Sequence, residues 1–297
     1  MIVNKASLSG VFETFKAIFD DYLKTPVAFD VTPFVMDVPA TAASVNYNWL
    51  SGTPAMRKWL GDKVRKDVSA HAYTVTSDEY EATLSVKRRD VETDQLGLYK
   101  PAIQSLADEA RQHKIRLFAE LIEANPLCAD GQNLIDSDHP LDDGTTYSNT
   151  SSTALSLTSL KAARLAHRSL VDAEGRPLAI MPNVLMVPVD LEDTAIQICY
   201  SAALPGSANN DVNPVRSWGL DVVVNPFLTD ANNWYLIDTT KAVKPVIYQH
   251  RVEPHIVEQT GPDADGVFNR GEFAYSVEAD YTMVAGLPQV IYGAIVT

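Results

Sequence analysis

Cysteine is almost missing from this chain of 297 residues: there are two, Cys128 and Cys199. They form no CxxC pair, and no four-ligand zinc spacing can be built from them. The expectation is two reduced, part-buried thiols of a cytoplasmic protein. Positive charge is scarce as well, with 24 Lys and Arg against 38 Asp and Glu and a formal net charge of -14. Gripping a phosphate backbone or an anionic membrane takes clustered cations, so the balance opposes both. Nowhere do about 18 apolar residues run together, so no membrane-spanning helix is expected. The opening "MIVNKASLSGVFETF" has no apolar run followed by a small-residue cleavage site, and no secretory signal is expected there. Catalytic signatures are missing too: there is no GxSxG, HExxH, Walker A or GxGxxG. What remains is ordinary globular material, 46% hydrophobic and 21% charged, long enough for a sizeable core and without the composition of disorder.

The elements read as follows. Val11, Phe12, Phe15, Ile18, Phe19, Tyr22 and Leu23 recur on one helical face, with Ser9 as a cap and Pro26 as a stop. Residues 25–48 carry Pro26, Pro33 and Pro39 and read as an irregular, extended arm. In 49–93 five cations, Arg57, Lys58, Lys63, Arg65 and Lys66, fall within ten residues. Tyr80, Ala82, Leu84 and Val86 then alternate with polar residues, a strand with one covered face, and "AYTVTS" at 72–77 is expected to pair with it. A lone two-stranded ribbon is marginal in water, so this basic excursion is expected to lie on a second copy of the chain. From Asp94 to Pro126 an apolar stripe through Leu96, Tyr99, Ile103, Leu106, Ala110, Leu117 and Leu121 marks the longest helix, opened by Pro101 and stopped by Asn125-Pro126. A polar loop covers 129–153. Helices over about 158–173 and from a capping Asp190, and strands at "NVLMVPV", "GLDVVVNPFL", "NWYLIDT", "KPVIYQHRVEPHIVEQ" and "FAYSVEADYTMVAGLPQVIYGAIV", complete an α+β protein with a protruding arm.

The stretch that looks most like chemistry is "DGQNLIDSDHP", with three aspartates and one of the six histidines in 130–140. Neither calcium-loop frame fits: from Asp130, positions 5, 6 and 12 are Leu134, Ile135 and Leu141, and from Asp136 they are Pro140, Leu141 and Tyr147. An irregular divalent site on Asp136, Asp138 and Asp142, or a metal-dependent hydrolase using Asp130, Asp136, Asp138 and His139, stays open. The simpler reading is a polar loop whose aspartates and glycine shape turns. His250 and His255 read as ordinary strand-end residues. Trp49, Trp59, Trp218 and Trp234 read as packing anchors rather than a stacking platform.

Several stretches taken together resemble a known family. They are "WLSGTPAMRKWLGD" at 49–62, "YEATLSVKRRDVETDQLGLYKP" at 80–101, "CADGQNLIDSDHP" at 128–140 and "GRPLAIMPNVLMVPVDLEDTA" at 175–195, followed by "GLDVVVNPFL", "NWYLID" and "KPVIYQHR". In this order they resemble the Mu-like phage major head subunit, a major capsid protein of the Hong Kong 97 phage fold type. The resemblance implies an N-terminal arm at 1–45, an extended hairpin loop at 46–93 and a spine helix of a peripheral domain at 94–127. It further implies a mainly axial domain at 128–260 and C-terminal strands returning to the peripheral domain at 261–297. It implies no enzyme, cofactor or metal. It implies pentamers and hexamers closing an icosahedral shell around double-stranded DNA in the virion, assembled in the bacterial host cytoplasm without a membrane. Implied partners are a scaffold or prohead protease, a portal protein and a decoration protein. The hairpin's expected contacts with a neighbouring copy are Arg57, Lys58, Trp59, Lys63, Arg65, Lys66, Arg88 and Arg89. An encapsulin-like compartment shell shares the fold and is the alternative, to be separated by cargo-docking partners encoded nearby.

Overall fold

The computed structural model describes residues 5–27, 29–47, 73–93, 96–141, 143–172, 175–203, 211–261 and 263–296. The first element is α1 (Lys5–Leu23). It starts ahead of the expected cap, because Ala6, Ser7 and Leu8 continue the helix into Ser9; a serine caps only where the residues before it leave helical geometry. The arm then contains two short strands, β1 (Val35–Pro39) and β2 (Ser44–Asn46). β3 (Thr74–Thr76) and β4 (Asp78–Lys87) follow, then the short α2 (Arg88–Glu92). Next comes the long helix α3 (Lys100–Ala124), with Pro101 in its first turn and Asn125 at φ 48 closing it.

The predicted pairing of 72–77 with 80–87 is corrected. β3 pairs with β2, and β4 pairs antiparallel over ten residues with 272–281. Only Ser77 separates β3 from β4, too little for the two-residue loop that a hairpin needs. The alternation in β4 is as read: Tyr80, Ala82, Leu84 and Val86 turn inward and their neighbours outward. This part of the basic excursion therefore lies on the chain's own body, which corrects the expectation that all of 49–93 needs a second copy. Residues 48–72 lie outside the described residues.

After α3 come β5 (His139–Pro140), β6 (Thr146–Tyr147), β7 (Thr150–Ser151) and α4 (Leu157–Arg168). Ser156 caps α4 in a reciprocal box with Ser159. The helix stops earlier than expected because the Leu178 N–H returns to the Leu170 carbonyl and the Asp172 N–H meets the Arg176 carbonyl, with Gly175 at φ 74. β8 (Val184–Val187) leads to α5 (Glu192–Tyr200), which starts after a single 3-10 turn rather than at a capping Asp190. β9 (Asp221–Val224), β10 (Trp234–Ile237), β11 (Val246–Gln259), β12 (Glu272–Ala285) and β13 (Ile291–Ala294) complete the chain. His250 and His255 lie inside β11, not at its ends, astride register shifts near Pro254. A proline has no N–H for the ladder, so a bulge is where it fits.

Two sheets organise the molecule. One has the order β1-β11-β12-β4; the other has the order β7-β13-β10-β8-β9. The first half of α3 and α1 cover one region of the first sheet through Phe15, Phe19, Ile103, Ala107, Phe273 and Tyr275. The second half of α3 joins both sheets: Phe118 and Ile122 share a core with Tyr248, Tyr281, Val184, Met186 and Tyr235. Along α3 the buried positions step 103, 107, 115, 118, 122, the period of one helical face. Position 111 on that stripe is an arginine. Arg111 reaches the Thr25 carbonyl (2.6 Å) and lies over the Tyr22 ring, tying the end of α1 to α3. β8, β10 and β13 are buried on both faces, which explains their unbroken apolar runs. Alternate residues serve different cores, Val184 and Met186 facing α3, and Leu185 and Val187 facing α4 and α5. The last strand, β13, lies in the five-stranded sheet rather than beside β12.

Candidate functional site

The Asp-rich loop begins where α3 ends. Asn125 takes the left-handed conformation, and its amide grips the backbone of one residue on both sides: Oδ1 accepts from the Ile135 N–H (2.8 Å) and Nδ2 donates to the Ile135 carbonyl (2.9 Å). Asp130 Oδ1 accepts from the Gln132 N–H, and Gly131 sits at φ 86, so this corner is an Asx-turn. The other oxygen of Asp130 lies 2.7 Å from His139 Nδ1. His139 is fully buried, stacks on Tyr147, and its Nε2 lies 3.2 Å from Asn149 Oδ1.

Asn149, also fully buried, is the centre of the arrangement. Its Oδ1 accepts from the Asp136 N–H (2.8 Å). Its Nδ2 faces the carbonyls of Leu134 (2.8 Å), Pro288 (3.0 Å) and Ile291 (3.2 Å). Sequence reasoning missed this residue. In "YSNTSST" it resembles any polar loop residue, and its role exists only once three distant carbonyls meet.

The remaining aspartates turn elsewhere. The Ser137 N–H beside Asp136 (2.6 Å) holds that carboxyl below its usual range. Asp138 is raised by the hydrogen bond it shares with Asp136. The three aspartates thus split into a His139 partner and a separate surface pair. Among the described residues, no three or more His, Cys, Asp or Glu side chains come together as a metal ion needs. Asp142 lies outside the described residues. The turn-forming reading of the loop describes Asp130 and Gly131 well, but it understates His139, which is core.

Of the expected contacts on a neighbouring copy, Arg57, Lys58, Trp59, Lys63, Arg65 and Lys66 lie outside the described residues, as does Trp49. Arg88 and Arg89 are exposed at the start of α2, where the Arg88 N–H meets the Gly271 carbonyl (2.8 Å). Trp234 is a packing anchor, fully buried with Nε1 on the Thr153 carbonyl (3.1 Å). Cys128 and Cys199 are both free and both buried.

Two further surfaces emerge from the five-stranded sheet's outer layer. On α4, Lys161, Arg164 and Arg168 line a cavity of about 370 Å³ with Leu165, Ser169 and Trp218. The Arg164 guanidinium lies 4.2 Å from the Trp218 ring centre, and its buried Nε has no partner. Burial, and then Arg168, lower its affinity for a proton. At the start of α5, Asp190, Glu192 and Asp193 are exposed beside exposed Val189 and Ile196. The cation spacing on α4 was readable in the sequence. The distant tryptophan that completes the cavity was not.

The whole chain can then be compared with known proteins. The family profile described as Mu-like prophage major head subunit gpT matches residues 8–156, 147–228 and 221–296. The major capsid protein of Escherichia phage Mu is 26% identical over 278 residues, covering 93% of this chain and 69% of that protein. The procapsid of bacteriophage JBD30 superposes with a TM-score of 0.62 at 26% identity, covering 98% of this chain and 76% of that one. The JBD30 capsid decorated with minor capsid protein trimers gives 0.54 at 26% identity, over 77% of this chain and 100% of that one. The α+β architecture is the Hong Kong 97 phage capsid fold. The family match runs through the Asp-rich loop, both sheets and the long helix, and on it this chain belongs to the Mu-like prophage major head subunit gpT family.

Proposed function

We propose that copies of this chain assemble as pentamers and hexamers into the icosahedral head of a phage or prophage and enclose double-stranded DNA without sequence-specific contacts. The observation that carries the reading is the JBD30 procapsid match over 98% of the chain, within a head-subunit family. The work is assembly rather than turnover. A subunit that presents two different complementary faces closes into rings. The basic segment 57–66 is proposed to reach across a neighbour, where opposite potentials steer the contact and fix its register. A net charge of -14 suits a container wall, since strong attraction for packed phosphate would hinder filling and release. The Hong Kong 97 fold is common to heads and to encapsulin-like compartments, and membership of the head-subunit family favours the head.

A scaffold or prohead protease, a portal protein and a decoration protein are the proposed partners. The JBD30 capsid carries minor capsid protein trimers, and an equivalent outer partner fits here. The proposed location is the virion, after assembly in the host cytoplasm. Negative-stain microscopy of the purified protein tests the reading: rings or closed shells are expected, and monomers at all concentrations would overturn it. Charge reversal at Arg57, Lys58, Arg65 and Lys66 is expected to impair assembly at low salt while the monomer stays folded. Normal shells from that variant would remove the electrostatic role of the segment.

A further inference from the structure

The five-stranded sheet carries α4 and α5 on one face, α4 against β13 and α5 against β8 and β9. Their charges differ in sign and in place. Trp218, which touches Arg164, comes just before β9, whose first residue, Asp221, lies opposite Val184, the first of β8. α5 begins just after the last residue of β8, Val187. The cationic and acidic clusters therefore stand at opposite ends of the same two strands. Three rises of about 3.3 Å put ~10 Å between those ends. Among the described residues, none of Lys161, Arg164, Arg168, Asp190, Glu192 or Asp193 has an ion-pair partner.

We propose that the α4 face carrying Lys161, Arg164 and Arg168 seats the acidic start of α5, with Asp190, Glu192 and Asp193, of a second copy of this chain, repeated head to tail around each ring. The proposal rests on the ring-forming reading above and names the surfaces that meet. Charge complementarity selects the occupant: one end of β8 and β9 offers what the other lacks, and the two faces differ, as a closing ring requires. Each face also has an apolar part. Leu165, 72% exposed, stands beside Trp218, and Val189 and Ile196 are 55% and 42% exposed beside the carboxylates. An apolar centre inside a charged rim is the anatomy of a protein–protein contact. Arg164 is half-buried against Trp218, and its guanidinium is the planar group that suits a carboxylate. A DNA phosphate offers similar chemistry, and the test separates it.

Two reversed proteins are made, one with Arg164→Glu and Arg168→Glu, the other with Glu192→Lys and Asp193→Lys. Each alone is expected to lower ring yield about tenfold or more, counted by native mass spectrometry and negative stain. Mixed in equal amounts, the two restore every contact if they alternate. An even ring can alternate and an odd ring cannot, so hexamers return and pentamers do not. This pattern requires folded subunits, and a Lys161→Glu, Arg168→Glu protein that leaves the Trp218 contact intact repeats the first arm. If both reversed proteins form rings like the unaltered chain, or if the mixture stays unassembled, the two faces do not meet and the proposal is overturned while the ring reading stands. If the α4 variant builds normal shells that no longer retain DNA, the occupant is phosphate and the proposal is likewise overturned. If the unaltered chain forms no rings, the ring reading itself fails.

Discussion

Replacing Asn149 by alanine removes the side chain that joins the Asp-rich loop to the end of the chain. Its amide makes five polar contacts, with the Asp136 N–H, the His139 ring and the carbonyls of Leu134, Pro288 and Ile291. All are shielded, since Asn149 and His139 are fully buried. A buried group left without a partner costs about 1–3 kcal/mol, while a hydrogen bond that folding exchanges for one with water nets only about 1. The Pro288 carbonyl keeps the Ile291 N–H, so its loss is partial. The Asp136 N–H loses its acceptor outright, and the buried His139 ring loses its polar neighbour. Contacts of one network do not add fully, and the expected loss is about 3–4 kcal/mol.

The assay is denaturant unfolding of unassembled protein, followed through tryptophan fluorescence, to which the buried Trp234 contributes. Asn149→Asp is the control for shape. It keeps the acceptor but points a second oxygen at three carbonyls, which disfavours the charged carboxyl and raises its pKa in the folded state. Such an acid is best tolerated when protonated, so this variant's deficit is expected to shrink as pH falls through the raised value. Both variants lying within about 0.5 kcal/mol of the unaltered chain would refute the network as the joint, because that is the range of ordinary surface changes.

Other expectations follow from single contacts. In Gly293→Ala a new Cβ would lie 2.5 Å from Ile135 Cδ1 and 2.9 Å from Cγ2, costing roughly 1–3 kcal/mol; the same melts with Ile135→Val added should recover part of it, and an unchanged midpoint for the single variant would contradict the packing. Burial holds His167 down at about 4 from an ordinary 6.5, so the folded chain keeps it neutral while the unfolded chain binds a proton below 6.5. Stability is then whole above pH 6.5 and falls by roughly 3 kcal/mol toward pH 4, and His167→Asn should remove that slope when midpoints are compared across the range. Burial also pushes the Cys199 thiol up to about 11 and raises Cys128 further, so neither should react with a thiol reagent at neutral pH until denaturant is added; fast labelling of the native protein would contradict their burial.

How far the sequence revealed this molecule depended on whether a feature was local. Asn125-Pro126 marks the end of α3 because the left-handed cap and the missing N–H act on adjacent residues. The alternation over 78–87 gives β4 and its inner face, since pleating alone sets it. The partner of β4 does not follow from the strand itself: 272–281 matches it as well as 72–77 would, and only the shortness of the Ser77 link excludes the nearer choice. The same limit hides the parallel pairing of β1 with β11 inside a segment that three prolines make look irregular. Histidines misled for a related reason. His250 next to a future bulge looks like a strand end, and His139 next to Pro140 looks like part of a polar loop, until burial and pairing place them.

The Asp-rich loop looked catalytic because catalysis and rigid positioning draw on the same groups: a buried histidine oriented by a carboxylate, an amide reaching several carbonyls. What separates the two is where the free valences point. In a catalytic site one group is left facing open space for a substrate. Here His139 is enclosed between Asp130, Asn149 and Tyr147, and Asn125 and Asn149 grip two successive residues, Ile135 and Asp136. Ile135 in turn sits on Gly293 of β13. Apolar packing between α3 and the five-stranded sheet would tolerate small slides, because it has little direction. Hydrogen bonds at fixed angles do not. For a subunit repeated around a ring, an error in the angle between its sheets recurs at every contact, so a polar clasp at the end of the longest helix is where directional bonds gain most.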